Sequence, residues 1–146
     1  MPLQNFSFLR PELAGSEAPY HTSDLMFLVD HGITDIFVLT PELTLAEKMI
    51  PDLNLPLKIT HIPVYGVPEI QQLDDFVHKV EEVKSKGGKA LVHCQFGQER
   101  TGIFLAYYLC KTYGYSWRDA VQEVQMKRPS SLQSPNSIEF LKKTCR

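Results

Sequence analysis

Residues 101–113, TGIFLAYYLCKTY, are apolar nearly all round, a pattern that places a helix inside the protein and not on its surface. Just upstream, ALVH at 90–93 has the short apolar pattern of a buried strand, and the loop CQFGQER at 94–100 joins the two. A buried strand running into a buried helix requires sheet on one side and further helices on the other. The rest of the chain supplies them. Strand patterns fall at 5–9, 13–14, 35–39 and 58–64, and helical patterns at 24–31, 45–49 and 70–86. In the 70–86 segment Leu73, Phe76, Val77, Val80 and Val83 share one face, and Gly87–Gly88 ends it. Thr22 or Ser23 would start the helix at 24–31, Ser116 with Asp119 would cap another that stops before Pro129, and Ser134–Pro135 opens a last one. Short strands alternating with helices read as α/β with a largely parallel sheet.

At 146 residues, with 43% apolar and 22% charged residues, the chain is expected to form one domain, 1–146, with a real core. Its net charge of −2 argues against a nucleic-acid binder. The longest apolar run, at 103–110, is far below the ~20 residues that span a bilayer. The start MPLQNFSFLRP lacks the basic and apolar regions of a signal peptide. Cys94, Cys110 and Cys145 form neither a CxxC pair nor a disulfide framework. A reducing, cytoplasmic setting is therefore expected, with the protein acting as a monomer.

The loop at 94–100 has the geometry of an anion site. Backbone N–H groups and the N-terminus of the following helix converge on one point. Cys94 lies at its base, where the helix end and Arg100 should depress the thiol pKa. The planar fork of Arg100 grips two phosphate oxygens, which lysine cannot do. Gly97 lets the loop bend back, Gly102 allows close packing, and the Thr101 hydroxyl can donate to the sulfur. The amides of Gln95, Phe96, Gly97, Gln98, Glu99 and Arg100 form the cradle. An arginine six residues after a cysteine is common by chance, but here His93, Thr101–Gly102, a strand and an apolar helix accompany it.

HCQFGQERTG matches the His-Cys-x5-Arg-Ser/Thr-Gly signature of the protein tyrosine and dual-specificity phosphatases. With NFSFLRPELAG at the start and KRPSSLQS near the end, the chain resembles the compact atypical dual-specificity phosphatases over nearly its whole length. The resemblance implies a central mixed, mostly parallel twisted sheet flanked by helices, no metal or other cofactor, Cys94 as nucleophile and Arg100 as phosphate binder. It also points to Gln133 as a side chain that orients the hydrolytic water.

The pattern breaks at the general acid. That family usually carries an aspartate on a mobile loop, and the corresponding position in HIPVYGVPEIQQLDDF is Val64. Two carboxylates are in reach: Glu99, beside Arg100, and Glu69, on the loop that follows Val64. Glu99 has an equal claim to a structural role, orienting Arg100 or accepting backbone N–H bonds. Asp74 and Asp75 read as solvated helix positions. His93 is expected to support Cys94 by hydrogen bonding. His21, His31, His61 and His78 show no metal-ligand spacing. Cys110 reads as a small buried apolar residue, and Tyr107, Tyr108, Tyr113 and Trp117 as packing aromatics.

Three functions remain open. The first is a protein tyrosine or dual-specificity phosphatase with a Cys94 phosphocysteine intermediate. The second is an inositide, small-molecule or RNA 5′-phosphatase, and the third a weakly active phosphate-binding module. CQFGQER holds no lysine and no second arginine, which favours the first over a multiply phosphorylated ring.

Overall fold

The computed structural model describes residues 3–145. Its five strands are β1 (Ser7–Arg10), β2 (Leu13–Ser16), β3 (Asp35–Val38), β4 (Lys58–His61) and β5 (Ala90–His93), laid side by side in the order β1-β2-β5-β3-β4. Only β1 and β2 are antiparallel; β2, β5, β3 and β4 run parallel. Six helices cover the sheet: α1 (Thr22–Asp30), α2 (Leu45–Lys48), α3 (Ile70–Ser85), α4 (Glu99–Tyr113), α5 (Trp117–Lys127) and α6 (Pro135–Thr144). The expected α/β architecture is therefore the observed one.

Alternation along the strands divides the core in two, because successive strand side chains point to opposite faces. On β5, Ala90 and Val92 face α3, α4, α5 and α6, whereas Leu91 faces α1 and α2. On β3, Phe37 takes the first side and Ile36 and Val38 the second. Phe37, Phe76 and Phe104 meet edge to face at 5.2 and 5.1 Å, tying β3, α3 and α4 together. The apolar helix is as deep as its sequence requires: every side chain from Thr101 to Leu109 is buried.

The boundaries move for local reasons. The first helix starts after His21, not Thr22 or Ser23, because the Asp24 carboxylate accepts the N–H groups of Tyr20 and His21, each at 3.1 Å. The expected strand at 58–64 ends at His61, since Pro63 has no N–H to pair. Ser116 and Ser134 cap α5 and α6 as expected, accepting from Asp119 N and Asn136 N, each at 3.2 Å.

Two readings need correction. Cys110 is not simply a buried apolar residue, because it is disulfide-bonded to Cys145. Packing of α6 on α4 brings their Cα atoms to 5.8 Å, within disulfide reach, although 35 residues separate them in sequence. Cys94 is the free thiol. Asp74, exposed on α3, is not merely solvated, because its carboxylate accepts the Tyr107 hydroxyl.

Candidate active site

β5 ends at His93, and α4 begins at Glu99, two residues before the expected start, so Glu99 and Arg100 lie in its first turn. Between them the chain turns round Cys94, which is 4% exposed. The carbonyls of this loop are taken up on its outer side. Gln95 O accepts Ala18 N at 3.1 Å. Phe96 O accepts Asn5 Nδ2 at 3.1 Å, and Gly97 O accepts Asn5 Nδ2 at 3.0 Å and Arg128 Nη2 at 2.5 Å. With the carbonyls held outward, the amides are left to the inner side, as anion binding demands.

Glycine is required at position 97. Its φ of 75° is in the left-handed region, and a Cβ there would collide with the Ser16 carbonyl. Gly102 is close-packed, since a Cβ would lie 2.9 Å from Leu132 Cδ2.

Cys94 is tuned by its neighbours. Burial pushes the thiol pKa up, but the Thr101 hydroxyl, the N–H groups of Thr101 and Gly97, and the Arg100 charge together bring it below the ordinary value. The Thr101 Oγ1 donates to Cys94 Sγ at 3.1 Å. His93 stands behind the cysteine, with Nδ1 3.0 Å from Cys94 O and Nε2 2.6 Å from Glu47 Oε2. Both side chains of the His93–Glu47 pair are fully buried. Glu47 also closes a capping box with Thr44, so α2 is fastened to the phosphate loop through one carboxylate.

Arg128 is a site residue that sequence reasoning missed. It is 1% exposed, and besides Gly97 O its Nη1 reaches Asn5 O at 2.8 Å, Ser7 Oγ at 3.0 Å and Gly15 O at 3.0 Å. Burial lowers its pKa to about 10, against the opposing pull of the Cys94 thiolate. KRPSSLQS contains it, but nothing in that stretch says which way the guanidinium points. Glu47 gave no signal either, because its partner is 46 positions away.

The acid candidates separate. Val64 is 1% exposed and presents only backbone, its carbonyl accepting Arg100 Nη1 at 3.1 Å. The Glu99 carboxylate turns to the start of α6, accepting Gln133 N at 2.8 Å, Ser134 N at 3.1 Å and Ser137 Oγ at 2.9 Å. Glu69 caps α3, where its N–H donates to Gln72 Oε1 at 3.0 Å. The Gln133 amide nitrogen is bound to its own loop, at 3.2 Å from Pro129 O and 3.1 Å from Ser131 O.

A cavity of about 300 Å³ opens beside Gln95 and Arg100. A larger one, about 530 Å³ between β4 and α3, begins at Asp35 and Lys58, the opposite ends of the strands from Cys94, and takes no part in this site. Among the described residues no group of three His, Cys, Asp or Glu side chains could hold a metal ion.

Over residues 18–145 the chain matches the catalytic domain of dual specificity phosphatases. The chain belongs to the dual-specificity phosphatase family. It is 39% identical over 64 residues to Dual specificity protein phosphatase 1 of Arabidopsis thaliana, covering 44% of this chain and 31% of that protein. It is 31% identical over 120 residues to Dual specificity protein phosphatase 5 of Homo sapiens, covering 80% of this chain and 29% of that one. The matched part of this chain thus spans less than a third of the length of these relatives. In three dimensions it superposes on Tk-PTP in its active form with a TM-score of 0.77 and 28% identity, over 95% of each chain. PTPMT1 in complex with PI(5)P shares the fold alone, with a TM-score of 0.82 at 17% identity, over 96% of this chain and 94% of that one.

Proposed function

We propose that the chain is a single catalytic unit that hydrolyses phosphate monoesters on proteins, phosphotyrosine first, through a phosphocysteine on Cys94. The observation that carries this reading is the buried, free Cys94 thiol with its pKa lowered inside a loop whose carbonyls face outward. A binder of phosphate needs Arg100 and the amides; it has no use for a thiolate held by Thr101. Cys94 Sγ attacks phosphorus, and the guanidinium of Arg100 leaves Val64 O to grip the equatorial oxygens. Water then attacks the phosphocysteine, and Thr101 eases departure of the thiolate. Gln133 is proposed to orient that water, which requires its amide to leave the loop carbonyls it holds. The loop brings one arginine and no lysine, so a singly phosphorylated protein side chain suits it better than a polyphosphorylated inositide.

No helix among the described residues is long and apolar enough to cross a membrane. We also propose a cytoplasmic location and a monomer acting without a cofactor; the Cys94 thiol must stay reduced to work, whereas Cys110 and Cys145 are paired.

The test is a panel of phosphotyrosine peptides, phosphoserine peptides, phosphoinositides and 5′-phosphorylated RNA, with wild type and Cys94→Ser. We expect turnover of phosphotyrosine peptides by wild type alone, with Cys94→Ser still binding the phosphopeptide. Turnover surviving in Cys94→Ser would remove the mechanism. Preference for a phosphoinositide or RNA end would remove the substrate assignment.

A further inference from the structure

Expulsion of a tyrosine or serine oxygen from phosphorus needs a proton, and the usual donor position holds Val64. Of the carboxylates nearest in sequence, Glu99 is bound by three donors at the start of α6, and Glu69 sits at the N-cap of α3. Neither lines the cavity beside Arg100. That cavity is walled by Ala18, Tyr20, Thr40, Glu42, Gln95 and Arg100, among others, and Glu42 is the one carboxylate among its described lining residues.

The segment that carries Glu42 is fixed at both ends, in each case with a tie to His93, the last residue of β5 before the phosphate loop. On its near side Leu39 N donates to His93 O at 2.9 Å, and the His61 ring nitrogen Nε2 lies 2.7 Å from Thr40 O. On its far side Thr44 Oγ1 donates to Pro19 O at 2.8 Å, and Glu47, three residues on, holds His93. Within it, Thr40 Oγ1 donates to Glu42 O at 2.7 Å. Backbone and neighbours are thus tied, yet among the described residues no hydrogen bond or ion pair engages the Glu42 carboxylate. An exposed, unengaged carboxylate on a pinned loop, in the same cavity as Arg100, has the placement of a proton donor.

We infer that Glu42 is the general acid of this phosphatase, replacing the aspartate absent at Val64; the inference rests on the phosphocysteine reading above. As the Cys94 Sγ–P bond forms, the P–O bond to the substrate breaks, its electron pair goes to the leaving oxygen, and the Glu42 carboxyl supplies the proton. In the second step the Glu42 carboxylate takes a proton from water as the water oxygen bonds to phosphorus and the S–P electron pair returns to Cys94. Each cycle consumes one water and restores the carboxyl.

The charged and titratable groups around Glu42 are Arg100 across the cavity, Tyr20 beside it, His61 on β4 below the loop, the paired His93 and Glu47 behind it, and Cys94 beneath Arg100.

The experiment compares Glu42→Gln with wild type on a phosphotyrosine peptide and on an activated aryl phosphate, each across pH. We expect kcat on phosphotyrosine to fall ~100-fold or more, the scale of a general acid. The loss on the activated ester should be only a few-fold, because its leaving group departs as an anion. Wild-type kcat on phosphotyrosine is expected to fall at high pH, and that fall should vanish in Glu42→Gln. Equal losses on both substrates, or an unchanged phosphotyrosine rate, would overturn the assignment. Glu42→Asp should recover part of the phosphotyrosine rate if the proton matters. Cys94→Ser is run alongside: turnover there sinks the phosphocysteine reading, whereas a dead Cys94→Ser with a normal Glu42→Gln sinks only the role of Glu42.

Discussion

Thr101 Oγ1 stands 3.1 Å from Cys94 Sγ and is completely buried, so one hydroxyl proton is committed to one sulfur. Its side chain and N–H are the first contributions that oppose the effect of burial on that thiol. Removing the hydroxyl therefore raises the Cys94 pKa. Thiolate is the reactive form, so activity falls as pH drops through that pKa, and the acid limb of kcat/KM must move to higher pH in Thr101→Val. We expect kcat/KM below the shifted limb to drop about tenfold, the scale of a hydrogen bond to a charged group. A pH-rate profile checks this, and an unmoved limb would show that the loop amides alone hold the thiolate. Arg128 bears on the same sulfur from the other side of the loop, through Gly97 O at 2.5 Å. Its charge and the thiolate favour each other, which is how an arginine 34 positions from Cys94 enters the chemistry.

At the scale of elements, α6 is held to the phosphate loop by Glu99. Its carboxylate accepts from two backbone N–H groups at the start of the helix and from the Ser137 hydroxyl, in the manner of a cap supplied by another helix. Glu99→Gln removes the charge and one acceptor oxygen. The protein should lose about 1–3 kcal/mol of stability, measurable by urea unfolding. Turnover should fall by the same factor on phosphotyrosine and on an activated aryl phosphate. A loss confined to phosphotyrosine would make Glu99 the acid after all. The strand at 90–93, the loop and the buried helix could be read from the sequence because apolar patterning is local. So could the missing aspartate at Val64. The contacts of Glu99 with 133, 134 and 137, and of Glu47 with His93, could not. They join residues 34 to 46 positions apart, and their pairing exists only once α6 and α2 have been stacked on the sheet.

The whole molecule divides into a reactive pole, at the C-terminal ends of the parallel strands, and a far pole organised by buried polar contacts. There Glu12, 6% exposed, accepts Tyr108 Oη at 2.7 Å and Tyr113 Oη at 2.6 Å, and the pKa of Tyr113 rises to about 12. The Cys110–Cys145 disulfide lies between helices α4 and α6, closing the end of the chain onto the helix that begins at Arg100's turn. Sequence gave no reason to pair these cysteines; the close approach of two helices did. Because it closes a span of 35 residues, the disulfide restricts the unfolded chain, worth about 3–4 kcal/mol in the chain-entropy account. Replacing both cysteines with alanine should therefore lower Tm by roughly 10 °C relative to the oxidised protein. Reductant should lower the Tm of wild type by a similar amount and leave that of the double variant unmoved. At 25 °C kcat should be the same for both proteins, since Cys94 is a free thiol at the other end of α4. Calorimetry with and without reductant, paired with turnover at 25 °C, separates the two roles. A kcat that fell along with Tm would mean that the tether also holds Glu99 and the phosphate loop in register, through α6.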